Sequence, residues 1–106
     1  MKFGLSDADV AKIQGVFARY PAIDKAVLYG SRAKGNFKPG SDIDLTLYGK
    51  NLTSALLGDI AEALDDLLLP YLIDLSLYDH LNHPDLRDHI ARVGRVFYER
   101  PSAKET

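Results

Sequence analysis

The sequence predicts an α/β fold, a small mixed β-sheet with helices packed on one face. Three observations lead there. Two stretches, "SDIDLTLYG" and "YLIDLSLYD", alternate polar and apolar residues with period two, as half-buried strands do. Two others carry aliphatic residues at helical spacing and end at a proline. Strand-like and helix-like segments also take turns along the chain in the order αβ(α)βαβαβ, the pattern of helices layered on a sheet.

The first helix is expected from Ser6 to Tyr20. Ser6 and Asp9 suit a capping-box-like start, Val10, Ile13 and Phe17 make one stripe, and Pro21 forbids continuation. "KAVLYG", residues 25–30, is short and apolar and ends at glycine, so it reads as a buried strand. A short helical turn follows from Ser31 to Lys34, with Gly35 to stop it, and "NFKPG" is loop. The alternating strand from Ser41 comes next. Residues 53–69 read as the second long helix, with Thr53 as N-cap, an apolar face of Leu56, Leu57, Ile60, Leu64, Leu67 and Leu68, and Pro70 as its stop. Residues 71–79 alternate again as a third strand. A last helix begins near Pro84, ends at Gly94, and leads into the closing strand "RVFYE".

The 106 residues suit one domain, 1–106, with 46% hydrophobic and 26% charged residues. Cysteine is absent, which excludes disulfides and thiolate metal sites and fits a reducing compartment such as the cytoplasm. No apolar run suggests a signal peptide or a membrane span. The net charge of −2 disfavours direct binding of long nucleic acid. Charge is uneven: residues 1–53 carry eight Lys/Arg against five Asp/Glu, and residues 54–106 carry five against ten. The positive half suits a small anionic ligand.

Strand parity brings the chemistry together. Asp42, Asp44 and Thr46 share one face of the second strand, opposite Ile43, Leu45 and Leu47. In the third strand Leu72, Asp74, Ser76 and Tyr78 share a face opposite Ile73, Leu75 and Leu77. If the strands are neighbours, Asp42, Asp44 and Asp74 meet on one face. Aspartate is a poor strand former, so three in this arrangement need a reason beyond a solvated surface. Magnesium is one, since it is a hard ion that bridges carboxylates to substrate phosphates.

Gly30 and Ser31 stand where a strand gives way to a helical turn. Glycine there lets a ligand approach the backbone, and free N–H groups at a helix start hold phosphate; the alternative is a plain turn capped by Ser31. Arg32, Lys34 and Lys38 can counter a triphosphate's charge, with a solvated basic loop as an equal alternative for each. His80 and His83 in "HLNH" have a metal-site spacing, but without cysteine an ordinary helix entry is the better reading. Asp79 rivals Asp74 as the third carboxylate, yet its parity puts it on the opposite face.

"GSRAKGNFKPGSDIDL" closely resembles the signature of the DNA polymerase β-like nucleotidyltransferase superfamily, Gly-Ser-x10-Asp-x-Asp. The resemblance runs from about Ile23 to Arg100 and is most specific in residues 30–44. It is closest to the minimal nucleotidyltransferase (MNT) branch. That pattern often reads Arg-Gly where this chain has Lys34-Gly35, a departure that keeps the charge. The resemblance implies the polymerase β-like nucleotidyltransferase fold and transfer of AMP from ATP with Mg2+. Asp42 and Asp44 would be metal ligands, and Asp74 the third carboxylate, also helping to deprotonate the acceptor. Gly30, Ser31 and Arg32 would bind the nucleotide. MNT proteins are commonly the antitoxins of HEPN/MNT toxin–antitoxin systems, and the implied acceptor is a tyrosine of a HEPN-domain toxin. Larger superfamily members add domains that hold a base, template or acceptor, and this chain leaves almost no sequence for one. Each long helix is expected on the aliphatic face, leaving the carboxylate face open. Two alternatives remain: a small-molecule nucleotidyltransferase, and an antitoxin that acts by binding alone.

Overall fold

The computed structural model describes residues 2–101. Helix α1 spans Asp7–Ala18 and is capped as its sequence predicts, with the Asp9 amide donating to Ser6 Oγ at 3.1 Å. Strand β1 is Lys25–Tyr29, the four-residue helix α2 is Ser31–Lys34, and β2 is Ile43–Tyr48. Helix α3 spans Ser54–Asp65, capped by the Thr53 hydroxyl, which accepts from the Leu56 amide at 3.1 Å. Strand β3 (Ile73–Leu77) runs into a 3-10 turn over Tyr78–His80, then α4 (Pro84–Val93) and β4 (Arg95–Glu99) complete the fold.

The four strands lie in the order β3-β2-β1-β4. β1 is antiparallel to both β2 and β4, whereas β2 and β3 are parallel, so the sheet is mixed. A parallel pair needs a crossover, and α3 supplies it.

One face of the sheet is the aliphatic one. Ala26 and Leu28 of β1, Ile43, Leu45 and Leu47 of β2, Leu77 and Phe97 pack there against Val10, Ile13 and Phe17 of α1 and Ile60 and Leu64 of α3. Helices on one face hold for these two. The fourth helix departs from that expectation. Ile90 of α4 is buried against Val27 and Tyr29 of β1, with Leu86, Val93, Tyr48, Tyr78 and Leu81 around them. Val27 and Tyr29 alternate with Ala26 and Leu28, so α4 lies on the opposite face. The reason is in β1: four consecutive buried residues give it apolar side chains on both faces, and each face needs a cover.

α3 and β3 are among the elements that end short of their sequence patterns. α3 stops at Asp65, and Leu67 and Leu68 turn away through bonds to the Leu64 and Asp65 carbonyls. Leu68 takes a left-handed φ of 56° and is 87% exposed, so it is not part of the helix's apolar face. The residue before a proline avoids the helical region, which makes the chain leave the helix ahead of Leu69-Pro70. β3 likewise excludes residues 71, 72, 78 and 79. At the N-terminus Lys2 and Leu5 pair across a two-residue turn in which Phe3 (φ 57°) and Gly4 (φ 77°) both have positive φ, the geometry of a tight hairpin turn.

Candidate active site

The site grows from the end of β1. Gly30 follows it with φ 77° and ψ −157°, a conformation that only glycine adopts readily, and α2 starts at the next residue. A Cβ on Gly30 would collide with Oδ2 of Asp44. The backbone thus passes directly against that carboxylate, and Gly35 (φ 87°) closes the short helix.

The sheet register sets the carboxylates side by side. Asp44 is opposite Tyr29 in the β1–β2 ladder and opposite Asp74 in the β2–β3 ladder. Tyr29, Asp44 and Asp74 thus form one row across three strands, as neighbouring pairs on one face must. Asp42 lies one residue ahead of β2, exposed, and Asp74 is exposed too, while Asp44 is half-buried. Burial raises the Asp44 carboxyl above its ordinary value, the Asp74 and Asp42 charges raise it further, and His89 pulls it back. The Tyr29 hydroxyl is pushed up by burial and by the Asp74 and Asp44 carboxylates. The Ser76 hydroxyl offsets part of that rise from close by, although it is buried without a hydrogen bond of standard geometry.

Of the residues expected at the site, the structure brings together Asp42, Asp44, Asp74 and Gly30, with Ser31 half-buried as the first residue of α2. Arg32, expected to bind the nucleotide, is buried at 2% exposure. Nε and Nη2 donate to the Ser41 carbonyl at 3.0 and 2.9 Å, and Nη1 donates to the Phe3 carbonyl at 2.8 Å. The guanidinium also lies 5.0 Å from the ring centroids of both Phe37 and Tyr71. Its donors and faces are taken up by the fold, where it fastens the N-terminal turn and the 36–42 loop. Lys34 and Lys38 are exposed. Asp79 lies in the 3-10 turn, outside β3, and His83 sits at the α4 N-cap position.

Among the described residues, no group of three or more His, Cys, Asp or Glu side chains is spaced to hold a metal ion by itself. The donor set nevertheless suits magnesium. That ion commonly takes only one or two carboxylates from protein and completes its shell with water and substrate phosphates. A half-buried Asp44 whose ionisation is opposed by two neighbouring carboxylates is a site that a dication relieves.

One further residue, His89 of α4, was not evident from the sequence. Its Nε2 accepts the Gly30 N–H at 3.1 Å, and its ring meets that of Tyr29 edge-on at 6.1 Å. Its only sequence signal is its place beside Ile90 in the stripe Leu86, Ile90, Val93.

The carboxylates lie on open surface. Two hollows of about 530 and 540 Å3, beside Arg19 and Glu62 and beside Phe3 and Val96, are not lined by Asp42, Asp44 or Asp74.

The family model "Polymerase beta, Nucleotidyltransferase" matches residues 11–103. The chain belongs to the polymerase β nucleotidyltransferase family. A search of curated proteins finds no match. Among solved structures, this nucleotidyltransferase-family chain is similar to a chain of a toxin–antitoxin crystal structure with AMP-PNP, at TM-score 0.68 and 19% identity, covering 92% of this chain and 76% of that one. It is also similar to a chain from the complex of a tri-AMPylated Shewanella oneidensis HEPN toxin with MNT antitoxin, at TM-score 0.66 and 18% identity, covering 90% and 73%. A third is the MntA–HepT toxin–antitoxin, at TM-score 0.66 and 18% identity, covering 89% and 73%. At these identities the likeness is one of fold. Among the described residues, no helix is long and apolar enough to cross a membrane.

Proposed function

We propose that this chain is an MNT-type antitoxin that transfers AMP from ATP to a tyrosine of a partner HEPN-domain toxin in a magnesium-dependent reaction in the cytoplasm. The observation that carries the reading is the cross-strand pairing of Asp44 with Asp74, with Gly30 packed against the first. Family membership supports a nucleotidyl transfer, and toxin–antitoxin structures of the same fold support the choice of acceptor.

In this reading Asp42, Asp44 and Asp74 are the ligands of the metal. Bound magnesium would neutralise the carboxylates and stabilise charge on the α- and leaving phosphates. Gly30 and Ser31 line the triphosphate, and the missing Cβ of Gly30 lets the backbone and the Asp44 carboxylate come together there. Asp74, the more exposed carboxylate of the pair, accepts the phenolic proton as the tyrosine oxygen bonds to the α-phosphorus. The bond from that phosphorus to the bridging oxygen breaks, and pyrophosphate leaves. Exposure of Asp42 and Asp74 leaves room for an acceptor as large as a protein.

The test is co-incubation with the adjacent-gene partner, ATP and magnesium, followed by mass spectrometry of the partner. A mass gain of one AMP on a tyrosine is expected, and Asp44→Asn should reduce it on the order of a thousandfold. A partner that is neutralised without gaining AMP would overturn the transfer reading.

A further inference from the structure

We infer that His89 is a positioning residue of this site, holding the Gly30 backbone in the place that Asp44 leans on. Three observations meet here. The Gly30 N–H is spent on His89 Nε2 at 3.1 Å, a bond between the end of β1 and the middle of α4 across 59 positions of sequence. The same imidazole stands edge-on to the Tyr29 ring, so it touches both residues of the Tyr29-Gly30 peptide. Asp44, which the Gly30 backbone crowds, is also the ladder partner of Tyr29.

The chemistry follows from the acceptor. An Nε2 that accepts has its ring proton on Nδ1. Gly30 lies outside both the β1 ladder and α2's own bonding, since α2 uses the Gly30 carbonyl and not its amide. Without His89 this amide has no fixed partner, and glycine is the residue most free to rotate about its backbone. A rotation there moves the start of α2 relative to Asp44. Ile90, the next residue, is buried on Val27, so α4 as a whole supplies the rigid post. The groups facing His89 are the Tyr29 ring and the Asp44 carboxylate, with the Asp74 charge next in the row.

The structural effect is independent of any ligand, whereas the kinetic effect rests on the proposed transfer reaction. Two substitutions separate the acceptor from the ring. His89→Phe keeps a ring against Tyr29 and removes the acceptor. His89→Gln loses the ring and keeps an acceptor at similar reach. Amide exchange followed by NMR should show Gly30 exchanging roughly tenfold faster in the Phe variant, the loss of one hydrogen bond, and close to wild type in the Gln variant. The kcat of AMP transfer should fall roughly tenfold to a hundredfold in the Phe variant, with KM for ATP little changed, and recover in the Gln variant. Melting curves check folding, and if the Phe variant does not fold, His89→Leu takes its place. Gly30 exchange unchanged by loss of the acceptor overturns the inference, as does a Gln variant impaired as much as the Phe variant. If the wild-type protein transfers no AMP, the proposed function fails, and the exchange rates alone decide the role of His89.

Discussion

Arg32 and Asp44 are both charged residues of the signature stretch, and the fold treats them in opposite ways. Arg32 is withdrawn from water and all three of its nitrogens donate to backbone carbonyls, so it contributes to stability. Lysine cannot reproduce two donors on the Ser41 carbonyl and a third on the Phe3 carbonyl, nor stack as a plane between Phe37 and Tyr71. Arg32→Lys should therefore cost on the order of 2 kcal/mol in urea unfolding. Asp44 is kept where its charge is unfavourable. Its folded pKa is raised, so its ionised form weakens the fold at neutral pH, and this penalty vanishes below the ordinary carboxylate range. Asp44→Asn should melt higher than wild type at pH 7, and the difference should shrink as pH falls through that raised value. An Asn variant that melts lower at pH 7 would mean the carboxylate holds the fold together.

At the scale of elements, most boundaries were legible because local chemistry sets them. Ser6 and Thr53 cap the helices they precede, Gly35 closes α2, and Pro84 to Gly94 brackets α4. The end of α3 was not legible, because Leu67 and Leu68 continue the apolar spacing while the bend is imposed by Pro70 two residues later. The result is a leucine in a backbone conformation that costs L-residues about 1–2 kcal/mol, with its side chain in water. Leu68→Gly should stabilise the protein by about 0.5–1 kcal/mol after the added freedom of the unfolded glycine is counted. Chemical denaturation measures it, and a loss of stability would mean that Leu68 makes a contact that matters. The carboxylate pair was legible too, since parity placed Asp44 and Asp74 on matching faces and the parallel register sets them opposite each other. The burial of Arg32 was not legible, because what buries it, Phe3, Phe37, Ser41 and Tyr71, comes from three separate parts of the chain.

For the whole molecule, the missed feature is the second layer. β1 showed no alternation, which already meant that both of its faces were covered, and α4 carried an apolar stripe of Leu86, Ile90 and Val93 with nothing assigned to it. Joining those facts would have put α4 over Val27 and Tyr29, and with it His89 beside Gly30. The carboxylate face is therefore covered over β1 and open towards β3. Leu72, 74% exposed, lies just ahead of that edge strand. In the proposed reaction the acceptor would approach from the β3 side, because α4 covers β1.

The parallel pairing of β2 with β3 also governs when the site comes into being. The antiparallel strands β1 and β2 are joined through the short helix α2 and its loop, but a parallel neighbour waits until its crossover helix has been made and has docked. A nascent chain that has emerged only through β2 carries Gly30, Ser31, Asp42 and Asp44 and lacks the carboxylate that completes the row. Closing α3 over the sheet adds a further long-range step to the pairing of β1 with β2. Until Asp74 arrives, the row of Tyr29, Asp44 and Asp74 stands one strand short, and whatever that row is built to do waits on the crossover.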